Sequence, residues 1–284
     1  MNTIAEDHAA LIAAAETGAA LCTIVGIEGS FSRRLGAQLA VGTGQFDGQI
    51  TGQITGSLAD GCLERELAAE AARGGPPRVI RYGAGSPKID FRLPCGGGLD
   101  ILIDPAPDRA ACADAAAKLA RREAAALALP GQAMARRYVP ALRLLLLGEG
   151  PELAAMARLA AAAGIAAQCR SREDGSLSLG QKPEQLEADR WTGIVLLFHD
   201  HEWEEAVLDW ALRTPAFFIG AQGGAPARAA RAARLTALGY APPQIARVAS
   251  PIGTVAGSRE PLALALSVLA GIAGTYETRH PHHG

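Results

Sequence analysis

Residues 142–164, LRLLLLGEGPELAAMARLAAAAG, constrain the fold of this chain more than any other stretch. A nearly unbroken apolar run over 142–147 marks a strand buried on both faces, as parallel sheets require. A Gly148-Glu149-Gly150 turn and an amphipathic helix ending at Gly164 follow directly. A strand running through a glycine turn into a helix is a βα unit, and such units repeat into a parallel sheet. GIVLLFHDH at 193–201 and PAFFIGAQGG at 215–224 repeat the apolar strand, each ahead of a helix-forming segment.

The first of these units resembles the opening of a Rossmann domain, in which the helix start faces a phosphate. Leu153 stands where the third glycine of the fingerprint belongs, and no acidic residue ends the second strand, where Cys169, Arg170 and Arg172 lie. Ordinary NAD binding is therefore disfavoured, leaving a phosphate held by Arg170 or a solvated arginine as alternatives. His199, Asp200 and His201 fall just past a strand's carboxyl end, where open α/β sheets bind ligands. The histidines suit a metal or acid–base chemistry, and Asp200 suits a cap on the next helix.

The first half has a different grammar. Residues 4–16 read as a helix and 21–27 as a buried strand, followed by glycines at 42, 44, 48, 52 and 56 with short alternating segments between them. Hairpins or glycine turns fit that spacing. GQITGSLADGCLERE, residues 52–66, then passes from turn residues into strong helix formers, putting Cys62 at a helix start behind Gly56, Ser57, Asp60 and Gly61. Unpaired N–H groups at a helix start favour anions, and a thiol there suits a soft ligand or a nucleophile. A small buried cysteine at a tight turn is the alternative. Helix 62–72 stops at Gly74-Gly75-Pro76-Pro77, and residues 78–82 read as a strand. In PCGGGLDILIDP, Cys95 sits at a turn tip before Gly96, Gly97 and Gly98, and 99–103 alternates as a strand. Three glycines in a row cost backbone entropy, which is tolerated where the main chain approaches a ligand, an anion or another backbone. Residues 109–129 read as one Ala-rich helix and 131–141 as an irregular linker.

Composition excludes several classes. The 284 residues carry 49% hydrophobic and 20% charged side chains, as expected of a globular chain of about two domains. Net charge is −2 with no basic block, against a nucleic-acid partner. No apolar run is expected to span a bilayer, and the acidic N-terminus is unlike an export signal. Five cysteines without a CxxC pair argue against a disulfide scaffold and for a reducing, cytoplasmic setting.

GSFSRRLGAQLAV, GSLADGCLE and PCGGGLDILIDP, followed in order by LLLLGEG, FHDHEWEE, FFIGAQGG and SPIG, are similar to the motifs of the XdhC/CoxI family of molybdenum-hydroxylase accessory proteins. The resemblance runs from about residue 23 to 273 and implies an α/β chain. A mixed α/β XdhC/CoxI domain (1–130) would be joined by a linker (131–141) to a Rossmann-like parallel-sheet domain (142–284). It implies a chaperone without turnover of its own that binds the molybdenum cofactor, as molybdopterin or its nucleotide form. Such a protein protects the cofactor, supports its sulfuration with a cysteine desulfurase, and inserts it into a xanthine dehydrogenase-, aldehyde oxidase- or CO dehydrogenase-type apoenzyme. The functional thiols would be Cys62, also the metal contact, and Cys95. Cofactor contacts would come from Ser30, Arg33, Arg34, Gly36, Gly56, Ser57, Gly61, Gly96, Gly97, Gly148, Gly150, His199 and Gly220. A homodimer is the expected assembly. An NAD(P)-linked oxidoreductase and a docking protein without cofactor are the alternatives. Asp60 stands where the family usually has glycine, and GAQGG replaces its Gly-x-Gly-Ser-Arg pattern.

Overall fold

The computed structural model describes residues 6–42, 45–46, 49–50, 53–58, 61–87 and 96–281. Contacts divide the chain between Pro140 and Ala141 into two units.

The first unit is built on an antiparallel sheet. Its elements are α1 (Glu6–Thr17), β1 (Ala20–Glu28), β2 (Gln38–Val41), the short pair β3 (Gln45–Phe46) and β4 (Gln49–Ile50), β5 (Ile54–Gly56), α2 (Gly61–Ala72), β6 (Arg78–Gly83), β7 (Gly98–Asp104), α3 (Arg109–Ala120), β8 (Ala125–Ala128) and β9 (Ala135–Tyr138). Strand order is β5-β2-β1-β7-β6. Alternation along the strands sends side chains to two cores. Cys22, Ile24 and Leu39 join Leu63 and Leu67 of α2 on one face, with Tyr82, Leu99 and Ile101. Leu21 and Ala40 join Ala10, Leu11 and Ala14 of α1 and Cys112 and Ala115 of α3 on the other.

The Ala-rich stretch departs from its expected single helix. Asp108 caps α3 by accepting the N–H groups of Ala110 (2.9 Å) and Ala111 (3.1 Å), but the helix ends at Ala120 and Arg122 takes a left-handed φ of 60°. Beyond it Ala125 and Leu127 are buried while Ala126 and Ala128 are exposed, a two-residue period that makes β8 a strand. Its antiparallel partner is β9, inside the stretch expected to be an irregular linker. The Tyr138 hydroxyl of β9 donates to Gln38 Oε1 at 2.5 Å, and Gln38 Nε2 donates to Thr23 Oγ1 at 3.0 Å, all three residues buried. Residues 135–138 therefore belong to the first unit's core.

The second unit comprises β10 (Arg143–Gly148), α4 (Gly150–Ala162), β11 (Ala166–Ser171), β12 (Thr192–Leu197), α5 (Glu204–Leu212), β13 (Phe218–Ala221), α6 (Ala225–Ala237), α7 (Pro242–Ile245), β14 (Val248–Ala249) and α8 (Pro261–Arg279). Its sheet is wholly parallel in the order β11-β10-β12-β13-β14. Leu144, Leu145, Leu146 and Leu147 of the central β10 are completely buried, as the apolar run required. The chain turns from β10 to β11 on one side and later returns to β12 on the other, so the strand order reverses between β10 and β12. Ligands of open parallel sheets bind at such a switch point, beyond the carboxyl ends of the strands.

Contrary to the sequence expectation, one helix is long and apolar enough to cross a bilayer by length and composition. This is α8, with 19 residues. In this structure α8 packs along α4 and buries Ala265, Val268, Ile272 and Tyr276, with the Tyr276 ring edge-on to Phe217 at 5.3 Å.

Replacing Tyr138 by Phe removes the bond to Gln38 inside the core and is expected to cost the first unit about 1–3 kcal/mol. A lowered urea midpoint checks this; an unchanged midpoint would detach β9 from that core.

Candidate functional site

In the first unit the candidate site is the loop between β5 and α2. Each residue of Cys62-Leu63-Glu64 has a separate job there. Leu63 is buried against the sheet. Glu64 Oε1 accepts from Ser57 Oγ at 2.8 Å and from the Leu58 N–H at 3.1 Å, so the carboxylate in the first turn of α2 closes the loop behind it. Cys62 is left exposed, and Arg65 Nη2 donates to its sulfur at 3.3 Å. The other cysteines of the described residues differ. Burial pushes the Cys22 thiol up to about 12 and the Cys112 thiol to about 11, the latter helped by Asp108 and Asp104. Cys169 is raised by burial as well. Cys95, the second expected functional thiol, and Asp60 lie outside the described residues.

Several predicted cofactor glycines answer to the chain's own packing. Gly36 has φ +80°, its N–H donates to Ile24 O at 2.8 Å, and a Cβ there would lie 2.9 Å from Cδ of buried Arg136. Gly97 O accepts from the Ala84 N–H at 2.8 Å. At the neighbouring Gly98, which was not among the expected contacts, a Cβ would run into Arg81, with Ala84 O only 2.8 Å away, because Arg81 spans Asp100 (3.0 Å) and Glu28. A Cβ at Gly220 would meet Ile252 at 2.8 Å and the Phe218 ring. Gly61 and Gly96 are different: among the described residues nothing lies within 4 Å of a Cβ at Gly96, which takes φ +69°, and only Arg65, at 3.8 Å, at Gly61. Gly56 takes φ +88° where β5 ends. Ser30 is exposed, and Arg33 and Arg34 are partly buried.

In the second unit Gly148, Gly150 and His199 do come together, at the switch point. The Glu149 N–H donates to Leu197 O at 3.1 Å, which ties the glycine turn to the end of β12. A Cβ at Gly148 would fall 2.9 Å from Leu197 Cα and closer still to its carbonyl. His199 Nε2 lies 3.2 Å from Glu152 Oε2 in the first turn of α4. Residues that sequence reasoning passed over complete the site. Buried Glu149 pairs with Arg172, whose guanidinium lies 5.8 Å from the Trp203 ring, while Glu152 is also largely buried. Two carboxylates thus stand at the helix start where a Rossmann domain holds a phosphate. Glu149, between two glycines, was the available signal. Arg170 instead donates to its neighbour's carbonyl, Cys169 O, at 2.9 Å. Asp200 Oδ1 accepts from the Glu202 N–H at 3.1 Å and caps the short turn into α5, as one reading expected.

Comparison with known proteins identifies these two units. Residues 12–83 match the XdhC and CoxI family and residues 144–272 the XdhC Rossmann domain. Over 277 residues the chain is 31% identical to the molybdenum cofactor insertion chaperone PaoD of Escherichia coli (strain K12), covering 90% of this chain and 83% of that protein. The chain belongs to the XdhC/CoxI family. A crystal structure of a xanthine dehydrogenase from Bacillus halodurans shares the fold of this family member, with a TM-score of 0.69 over 97% of both chains at 18% identity.

Two measurements test the site. Native thiol titration of the Cys95→Ser protein should modify Cys62 rapidly and Cys22 and Cys112 only after unfolding; equal rates would refute the exposure argument. Gly148→Ala should destabilise the protein by at least about 2 kcal/mol through overpacking, whereas Gly61→Ala should change stability by less than about 1 kcal/mol. Urea unfolding reads both.

Proposed function

We propose that this protein is a molybdenum cofactor chaperone of the kind that PaoD is named for. It binds the cofactor, as molybdopterin or its nucleotide form, and delivers it to the apoprotein of a xanthine dehydrogenase-, aldehyde oxidase- or CO dehydrogenase-type hydroxylase. A cysteine desulfurase supplies sulfur during this handling, and the chaperone acts in the cytoplasm as a homodimer without turnover of its own.

The observation that carries this reading is the exposed Cys62 thiol at the start of α2. The cargo has a soft, sulfur-ligated metal centre, which suits a thiol ligand. The phosphate-bearing end suits main-chain N–H groups at a helix start. Arg65 orients the sulfur, Glu64 and Ser57 hold the loop shut behind it, and Leu63 anchors the turn in the core. Among the described residues only Arg65, at 3.8 Å, comes near a Cβ added at Gly61, next to the thiol. An NAD(P)-linked oxidoreductase is less well supported, because Glu149 and Glu152 at the start of α4 repel a pyrophosphate.

Anaerobic purification from molybdate-supplied cells tests the reading, with molybdenum analysis and pterin fluorescence after oxidative release. Near-stoichiometric metal and pterin are expected in the wild type. In Cys62→Ser both should fall at least about tenfold, which from near-full occupancy corresponds to roughly a hundredfold weaker Kd, about 2.7 kcal/mol of binding. A wild-type protein carrying neither, with client maturation still dependent on it, would replace the carrier with a docking protein.

A further inference from the structure

A second network of side chains lies at the carboxyl ends of β12 and β13, apart from the Cys62 loop. Glu204, at the start of α5, and Arg231, on α6, have side chains only 3% and 5% exposed. Arg231 grips the carboxylate with two prongs, Nε to Oε2 at 2.9 Å and Nη2 to Oε1 at 3.0 Å. Its remaining donors reach Gln222 O at 2.8 Å and Ser250 Oγ at 3.0 Å. A buried ion pair contributes little net stability compared with well-packed apolar residues of the same volume. The return on burying this one lies in what it orients.

What it orients is His201. Nδ1 of His201 is 2.9 Å from Glu204 Oε1. A carboxylate held two-pronged by a guanidinium is ionised and only accepts hydrogen bonds. Nδ1 therefore carries the proton, which leaves the lone pair of the neutral ring on Nε2. That edge of the ring faces Gly223: a Cβ there would lie 3.4 Å from Cε1 and 3.7 Å from Nε2. Gly223 has φ +125°, and a Cβ would also lie 2.7 Å from Ala227 Cβ, so a side chain at 223 would crowd this edge; the His201 side chain is 35% exposed. Just before it in the chain, Gln222 Oε1 is a buried acceptor with no hydrogen-bond partner among the described residues. His199 is the contrasting case. Its Nε2 is already engaged by Glu152, and its side chain is 56% exposed.

We infer that His201, rather than His199, is the ligand-contacting histidine of the Rossmann half. It presents Nε2 as a preset hydrogen-bond acceptor to the N–H edge of a nitrogen heterocycle, and Glu204 and Arg231 are its positioning residues. The choice of a pterin as that heterocycle rests on the proposed chaperone function. A pterin offers ring N–H and exocyclic amino donors, and the turn supplies two acceptors, His201 Nε2 and Gln222 Oε1.

Long-range 1H–15N correlation spectra of the full-length protein test this, with the His201 signals assigned by their loss in His201→Phe. The wild type should show the neutral ring protonated at Nδ1. Titration with free pterin (2-amino-4-oxopteridine) should shift Nε2 saturably, and lumazine, which lacks the amino group, should bind at least about tenfold more weakly. His201→Phe should lose pterin binding with little change in melting temperature. The double variant Glu204→Met/Arg231→Met keeps the site filled without a charge; it should fold, show both tautomers, and bind pterin about tenfold more weakly. A wild-type ring protonated at Nε2, or a His201 signal unmoved while pterin saturates the protein, would overturn the inference. Neither result depends on whether cofactor co-purifies, so failure of the chaperone reading is scored separately.

Discussion

The switch point depends on one close approach. The main chain of Leu197 occupies the space where a side chain on residue 148 would begin, and the Glu149 N–H bonds to the Leu197 carbonyl. Only glycine lets β10 and β12 end side by side with that carbonyl between them. From this follow the entry of the chain into α4, the position of Glu149 beneath Arg172, and the meeting of Glu152 with His199. Each link is short-range, but the arrangement is set by the parallel order of the sheet. The strands are adjacent because β11 was placed on the far side of β10.

The glycines of this chain fall into two physical kinds. Gly36, Gly98, Gly148 and Gly220 are required by neighbouring atoms of the protein itself, and a methyl group at any of them meets backbone or packed side chains. At Gly61 and Gly96 no described atom lies closer than 3.8 Å to an added Cβ, although Gly96 takes φ +69°. Sequence alone does not separate the kinds, because both look like turn residues beside a cysteine or a strand. What separates them is the identity of the distant residue: Arg136 for Gly36, Arg81 for Gly98, Ile252 for Gly220. Gly61 and Gly96 lie beside Cys62 and Cys95 in the chain.

Where the signal was local, the sequence was informative. Four consecutive leucines meant a buried parallel strand, and the passage from Gly61 into LERELAAEAA meant a helix with Cys62 at its start. The Asp200 cap was also written within three residues. Ala125–Ala128 was misread because alanine favours helix and carries too little bulk to reveal a two-residue period. Its register is fixed by Tyr138, in a stretch that looked like a linker. The pairing of Glu204 with Arg231 spans 27 residues and joins two helices by their solvent-poor faces. Nothing in either local segment distinguishes those side chains from the exposed acids and arginines around them. Buried ion pairs are legible only after the fold is known.

Electrostatics separates the two helix starts as ligand sites. At the start of α4, Glu149 and Glu152 already supply negative charge to the N–H groups and the dipole. A second anion there would have to displace or repel them. At the start of α2, among the described residues, the first-turn carboxylate Glu64 turns back to bond Ser57 and Leu58, and the side chain that donates to the thiol is the cation Arg65; Asp60, directly ahead of this helix in the sequence, lies outside the described residues. The fold has thus kept the geometry of a nucleotide cradle in the second unit while filling it with its own carboxylates. Among the described cysteines, the exposed thiol, Cys62, lies in the first unit. A chain that retained a Rossmann sheet for hydride transfer would need the opposite distribution of charge.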